Sequence, residues 1–549
     1  MVEFNEFLKL LDSNLSGSWW FPALLIGTGI FFTVYLNFPQ FRFFRHGWRI
    51  VTGKYDQDDS KGETTPFQAL TTAMSGAIGT GNIGGVALAI WTGGPAAIFW
   101  MWITAIFGMT TKFVEVTLAH KFRTTLKDGS ISGGPMYYIE QGLNMKWVAI
   151  LFSLLMMICA IGSGNMPQIN NIANVMETEF SVPKLMTGLI LGGLLWVIII
   201  GGITRIAAVA SKIIPIMGII YFGGALIILV ENYQNIIPSF NAIFTQVFTG
   251  SAAVGGFLGA SFAMSLKYGV ARGLYSNEAG QGSSPIAHAS SKTKNSVDQG
   301  VVSILEPFID TIVVCSVTAL VILSSGVWTQ KFENTFDRTS MKIVAGLYND
   351  SEASDVEQLT RFVQGMSSTI SEYSGEIVIE GGELVSNNVT IIHKRSVAED
   401  IKFYRDNLPV NGTLIVDQGD LVERGYEITG KSLIDSAELT AKAFSQGSLR
   451  EYGGYLVAIA LLLFAFSTAI AWCYYGDRST AYVFGEKGVF WYRNIYVICF
   501  ILAAVIDTEV VWNIAYVVVA LVSIPNLIAI FVLRKVMKQD VDEYQIQKT

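Results

Sequence analysis

Residues 75–85 read SGAIGTGNIGG and lie inside a run otherwise long and apolar enough to cross a bilayer. Five glycines and two hydroxyl side chains fall where the hydrocarbon core would be. A glycine in a helix interior costs roughly 1 kcal/mol relative to alanine, so the stretch is poorly built as continuous helix. Non-helical backbone at membrane depth persists only where it is buried in protein or lines a cavity. The stretch therefore reads as the unwound half of a substrate and ion site. Close helix packing, which small residues favour in membranes, is the competing reading.

The surrounding chain supports the membrane setting. Of its 549 residues 51% are hydrophobic and only 15% charged, which is not the composition of a soluble enzyme. Apolar runs of about 20 residues suit a hydrocarbon core roughly 30 Å thick. They fall near 19–36, 66–90, 95–119, 147–172, 184–203, 207–230, 252–274, 299–325, 452–475, 493–508 and 511–533, which predicts eleven transmembrane helices. Cys159, Cys315, Cys473 and Cys499 all lie within these runs and read as packing residues rather than disulfides or metal ligands.

Alternate loops are basic: Arg42 to Lys61, then Lys121 to Lys127, Arg205 with Lys212, Lys267 to Lys294, Arg478 to Arg493, and Arg534 to Lys538. The short loops between them lack Lys and Arg. The positive-inside rule then puts the N-terminus outside and the C-terminus in the cytoplasm of a cell-membrane protein. Residues 331–430 hold 17 acidic and 9 basic side chains, so this one segment accounts for the net charge of −7. Residues 330–431 fall on the non-cytoplasmic side and are too hydrophilic for a span. A helix near 355–366 and period-two strands near 376–380, 389–393 and 413–416 predict a small α+β domain there. Asn388 and Asn411 begin glycosylation sequons, which matter only in a secretory host.

A second glycine-rich run, TGSAAVGGFLGASFAM at 249–264, follows five spans after the first. Interrupted spans at matching places in two halves point to an inverted-repeat transporter. On that pattern 1–65 is a tail, a peripheral helix and a basic loop, and 66–230 is the first five-helix repeat. The second repeat is 249–329 with 432–535, interrupted by the inserted domain, and 536–549 is a cytoplasmic tail. Amides freed by unwinding suit a carboxylate and freed carbonyls a small cation. Little room near Gly79 and Gly81 favours a small zwitterion.

Several polar residues within the spans have two readings. Thr468 can bond back to the carbonyl one turn earlier, the usual fate of a membrane threonine. Trp472 by default anchors at the interface. Gln168, in the polar patch GNMPQINN, must face protein or water. Lys112 and Glu115, three apart, read as a structural ion pair. Asp310, one turn from Glu306, reads equally as a proton or gating group and as a buried anchor, and His288 reads as structural. Asn277, Glu278, Gly280 and Gly282 fail as a phosphate loop, because no strand precedes them and no Lys-Ser/Thr ending follows.

The motifs TAMSGAIGTGNIGGVALAIWTGGPAAIFWMW (72–102), GMTTKFVEVTLAHKFR (108–123), GGPMYYIEQGL (133–143), GVARGLYSNEAGQGSSPIAHA (269–289) and GGYLVAIALLLFAFSTAIAWCYYGDR (453–478) resemble the alanine/glycine:cation symporter family. The resemblance implies an all-α polytopic membrane protein with a LeuT-type 5+5 inverted-repeat fold and one peripheral N-terminal helix. The resemblance stops at about 330–431, where members usually have a much shorter connection. It implies that the amino acid lies against Ala77, Gly79, Thr80, Gly81 and Asn82, the Thr80 and Gly81 amides holding its carboxylate. Gln168 reaches its amino group, and Phe262, Met264, Thr468 and Trp472 shape the pocket. Sodium is held by Ser75, Ile78, Ala465, Thr468 and Ala469, with Asn82 and the Ala77 carbonyl near another ion.

The implied function is sodium-coupled import of alanine or glycine by alternating access. It takes no cofactor beyond Na+, and its partners are a small amino acid, sodium and membrane lipid, with no nucleic acid. Rivals are a channel, which calls for symmetric pore elements, and a sensor using the outer domain. An enzyme is disfavoured, since no nucleophile–base or metal constellation lies among the spans.

Overall fold

The computed structural model describes residues 2–54, 61–127, 129–336, 338–386 and 388–546. Parts of the expected basic loop (55–60) and C-terminal tail (547–549) lie outside them.

Helices dominate. Among the described residues six are individually long and apolar enough to cross a membrane: Ala96–Lys121, Lys146–Thr178, Gly202–Glu231, Ser296–Ser325, Glu451–Phe484 and Thr508–Val532. The pair Pro66–Ala77 and Gly81–Gly93, bent by 57°, makes a seventh. Trp20–Tyr35 and Lys184–Ile199 are apolar but shorter, and Phe262–Asn277 and Glu486–Ala503 occupy the other expected places. Burial separates a centre from a rim. Within its most apolar window Glu451–Phe484 is 78% buried, so it is the central post. Gly202–Glu231 is only 33% buried and leaves Ile219 74% exposed, as a helix solvated by lipid does.

The first broken span starts on a strong signal. Thr65 Oγ1 accepts from the Gln68 amide at 3.2 Å while Gln68 Oε1 accepts from the Thr65 amide at 3.0 Å, and Pro66 takes the first helical position. It stops at Ala77 because Ile78 turns extended (φ −75°, ψ 96°), and it resumes through a wide turn of π type at Gly81–Gly85.

In the inserted domain, residues 330–431 carry a helix and strands near the expected places, but Val389–His393 is buried along its whole length instead of alternating, because it pairs on both sides within the smaller sheet. The helix is Ala353–Val363, and strands include Gly375–Glu380, Val389–His393 and Gly412–Asp417. An eight-stranded antiparallel sheet and a three-stranded one enclose Ile343, Ile377, Ile379, Phe403, Leu414 and Ile428, a core separate from the helical one. Ile377 and Ile379 point in while Glu376 and Glu380 point out, the period of a half-buried strand.

The domain caps one end of the helical body. Trp91 Nε1 donates to the Lys394 carbonyl at 2.8 Å and Arg395 Nη2 to the Gly259 carbonyl at 2.6 Å. The basic residues gather at the other end: Arg123 donates to the Lys61 and Ser291 carbonyls, Arg478 to Ser130, and Arg493 pairs with Asp477 at 2.6 Å.

The second break is not where its glycines predict. Gly250, Gly255 and Gly259 have positive φ and shape a loop closed by Ser251–Ala260 and Val254–Phe257 bridges, docked on Thr329 and Arg395. Helix Phe262–Asn277 then runs uninterrupted to a break at 278–283, and a short helix Ser284–His288 completes the span. Here Glu278, Gly280 and Gly282 take positive φ.

Candidate functional site

The backbone opened at 78–80 is held by side chains from distant elements. Asn82 Oδ1 accepts from the Gly79 amide at 3.0 Å. Thr468 Oγ1 shares its proton between the Ile78 carbonyl (3.2 Å) and its own Phe464 carbonyl (3.0 Å). Ser75 Oγ donates to the Ser467 carbonyl at 2.8 Å, and Gln168 Oε1 lies 3.5 Å from the Thr80 amide. Gly79 is required by close approach: a Cβ there stands 2.7 Å from Thr468 Oγ1.

The second break is stitched by an acid the sequence paired elsewhere. Glu115 accepts from the Gly280 (3.3 Å) and Gly282 (3.2 Å) amides and from Asn526 Nδ2, and Asn526 also donates to the Gly280 carbonyl at 2.8 Å. The expected Lys112–Glu115 pair is therefore corrected. Lys112 Nζ bonds Glu306 Oε1 at 2.8 Å and Ser284 Oγ at 2.6 Å, and His288 Nε2 lies 3.4 Å from Glu306 Oε2, with Lys112, Glu306 and His288 all fully buried. Asp310 is an anchor: it accepts from Asn82 Nδ2 (2.6 Å), Ser276 Oγ (2.8 Å) and Thr311 Oγ1 (2.6 Å).

Between the two breaks lies a small, tight cavity. Of the residues named from the sequence, Ala77, Gly79, Thr80, Gly81, Gln168, Thr468 and Trp472 are brought together on its wall. Trp472 spans both breaks, its Nε1 donating to the Gly76 carbonyl (3.2 Å) and to Glu278 Oε1 (3.0 Å). Its ring needs Gly164, where a Cβ falls 2.0 Å from Trp472 Cγ. A larger crevice between Val2–Asn14, Trp20–Tyr35, Phe262–Asn277 and Thr508–Val532 shares Tyr275 and Gln281 with the cavity.

The sequence profile of the sodium:alanine symporter family matches residues 1–374 and 414–549. The chain belongs to this family. An uncharacterized transporter of Haemophilus influenzae is 34% identical over 540 residues, 98% of this chain and 95% of that one. The sodium/alanine symporter AgcS of Methanococcus maripaludis is 34% identical over 538 residues, 97% of this chain and 96% of that one. The probable sodium/glutamine symporter GlnT of Bacillus subtilis is 38% identical over 325 residues, 59% of this chain and 67% of that one. A manganese transporter of Eremococcus coleocola has a solved structure with a TM-score of 0.43 at 12% identity, over 86% of this chain and 80% of that one, too loose a likeness to carry an argument.

The protein is thus a sodium-coupled amino acid symporter of a multi-pass membrane family, not an enzyme, and sodium is its coupling ion. The resemblance does not stop at 330–431: only 375–413 fall outside the family profile, and the Haemophilus and Methanococcus relatives match over nearly the whole chain.

Three residues expected against the amino acid lie elsewhere. Asn82 is turned to Asp310 and Ser276 and does not line the symporter's cavity. Phe262 and Met264 stand at the start of their helix, near the capping domain, because the break comes after that helix rather than before it. Phe262 packs on Trp100 and Phe248, and Met264 lies against Arg395. Among the expected sodium ligands, the Ile78 carbonyl and Thr468 Oγ1 converge to 3.2 Å. Ala465 is buried one turn before Thr468, and the Ala469 carbonyl accepts from Tyr496 OH at 2.8 Å. Ser163, Tyr275, Glu278 and Gln281 line the cavity unforeseen. A run of NEAGQGSS between apolar segments carried the signal for the last two.

Proposed function

We propose that this symporter imports alanine or glycine with sodium by alternating access. The observation that carries the reading is the pair of breaks, 78–80 and 278–283, facing one small cavity across the central helix Glu451–Phe484. Two discontinuous spans meeting near the midplane are the usual substrate and ion site of inverted-repeat transporters. In this reading eleven spans form a LeuT-type 5+5 repeat with Trp20–Tyr35 peripheral. The inserted domain and N-terminus face outward, and the basic end and C-terminus face the cytoplasm.

The Thr80 and Gly81 amides, at the start of a half-helix, receive the substrate carboxylate. The Thr80 amide then exchanges its long contact with Gln168 Oε1 for a charged acceptor, which bonds more strongly. The sodium ion sits by the Ser75 and Ile78 carbonyls, with Thr468 Oγ1 and the backbone at Ala465 and Ala469 completing the set. Thr468 crowding Gly79 limits the side chain to a small one. Sodium that settles the unwound carbonyls favours amino acid binding, and the coupling is reciprocal. One charge moving through roughly 100 mV supplies about 2.3 kcal/mol, enough for on the order of 50-fold accumulation.

The test is labelled alanine uptake into proteoliposomes. Glutamine outcompeting alanine and glycine there, at equal concentration, overturns the small-substrate assignment.

A further inference from the structure

We infer that Glu278 is the group that holds the ammonium of the transported amino acid. The inference rests on the cavity being the amino-acid site, and deepens that reading. Glu278 lies in the second break with φ +54°, a left-handed conformation uncommon outside glycine and one that gathers at functional positions. Its side chain lines the cavity, and the residue is 4% exposed.

The direct hydrogen bonds to the carboxylate come from uncharged donors, and the Lys112 ammonium acts on it only from beyond ion-pair distance. Trp472 Nε1 donates to Oε1 at 3.0 Å and Ser283 Oγ to Oε2 at 2.6 Å. A carboxylate offers about four acceptor sites, so half remain. Lys112 is committed to Glu306 and Ser284, and among the described residues Glu278 makes no ion pair. A buried carboxylate is costly unless a cation pairs with it.

Two further buried atoms on the cavity wall point to a ligand. Thr80 Oγ1 and Gln281 Oε1 have no hydrogen-bond partner among the described residues, although both residues line the cavity and are 3% exposed. Buried polar atoms are rarely left so. The donors thus lie on the first break, as the Thr80 and Gly81 amides. The acceptors Glu278 and Gln281 lie on the second. A zwitterion with its carboxylate on the first break has its three N–H donors directed at Glu278 Oε and Gln281 Oε1. This makes the two breaks opposite poles of one site, with the Trp472 indole fixing their separation.

The test is competition against labelled alanine uptake in proteoliposomes under a fixed sodium gradient. The competitors are unlabelled alanine and lactate, which keeps the carboxylate and methyl but replaces the ammonium by a hydroxyl. Wild-type protein should favour alanine strongly. In Glu278→Gln the alanine half-saturation should rise by roughly 30-fold or more. Lactate inhibition should stay unchanged and the sodium half-saturation should hold. Glu278→Asp keeps the charge one methylene further back and should fall between; it carries the comparison if Glu278→Gln does not elute as a folded monodisperse species. Unchanged alanine half-saturation overturns the inference. So does a rise in sodium half-saturation at constant alanine affinity, which makes Glu278 an ion ligand. Alanine uptake absent from wild-type protein defeats the substrate reading itself, and is distinguishable because no variant is involved.

Discussion

At the residue scale, the site is built from hydroxyls and amides that each serve two elements. Thr468 bridges its own helix and the first break, so on the proposed reading its hydroxyl serves the ion more directly than the substrate's side chain. Thr468→Ala should raise the sodium half-saturation for uptake by about tenfold, the worth of one hydrogen bond near 1.4 kcal/mol, with the alanine-over-glycine preference kept and Thr468→Ser restoring function. A variant that shifts selectivity and leaves sodium dependence intact removes Thr468 from the ion site. Lys112 offers a different kind of check. Its ammonium is fully buried between Glu306 and Ser284, so Lys112→Met leaves Glu306 without its closest cation. The loss should be about 3–5 kcal/mol, read as a fall in melting temperature of the purified protein, whereas joint replacement of Lys112 and Glu306 by apolar residues should recover most of it.

At the element scale, the breaks and the capping hairpin define what moves. Lys394 and Arg395, at the tip of the hairpin carrying Val389–His393, touch the Gly81–Gly93 half of the first broken span through Trp91 and the loop before Phe262–Asn277 through Gly259. Arg395→Ala removes the bond to Gly259 and the cation–π contact with Phe257. Hydrogen exchange at the loop 250–260 should rise in that variant, and unchanged protection would mean the backbone bonds to Thr329 and Arg395 and the loop's own bridges hold it without the guanidinium. The same hairpin is sensitive to pH. His393 stacks on Phe336 at 4.2 Å, and burial, helped by Lys394, lowers its imidazole from 6.5 to about 3. The unfolded segment then binds more protons than the folded one between those values. The stability it contributes is full above about pH 6.5 and is lost as pH falls toward 3. Protection of Val389–His393, corrected for intrinsic exchange, should therefore fall from pH 7 to 5 in the wild type and stay level in His393→Gln.

These elements also show what a sequence can carry. The first break is legible because glycines inside an apolar run violate helix propensity with no turn nearby to explain them. The second is misplaced by the same rule: at 250–259 glycine serves positive-φ turns in a docked loop, and composition alone does not separate a turn from a broken span. The real break, NEAGQGSS, resembles an ordinary polar loop because its supporting acid, Glu115, comes from another helix. Lys112 likewise finds Glu306 far along the chain instead of its helical neighbour. Strands Gly375–Glu380 and Gly412–Asp417 of the inserted domain read correctly because a period of two survives in a half-buried sheet whatever its partners.

At the scale of the whole molecule, polarity is divided end to end. An acidic domain caps one pole, arginines bind loop carbonyls at the other, and the cavity lies between, against the most buried of the long candidate spans. On the proposed reading sodium and amino acid share this cavity, so neither should cross productively alone. Labelled alanine uptake into proteoliposomes, with sodium, potassium or choline imposed outside in turn, measures this directly. Sodium coupling predicts accumulation above equilibrium only with the inward sodium gradient, increased by an inside-negative potential. Equal alanine flux with all three cations contradicts it.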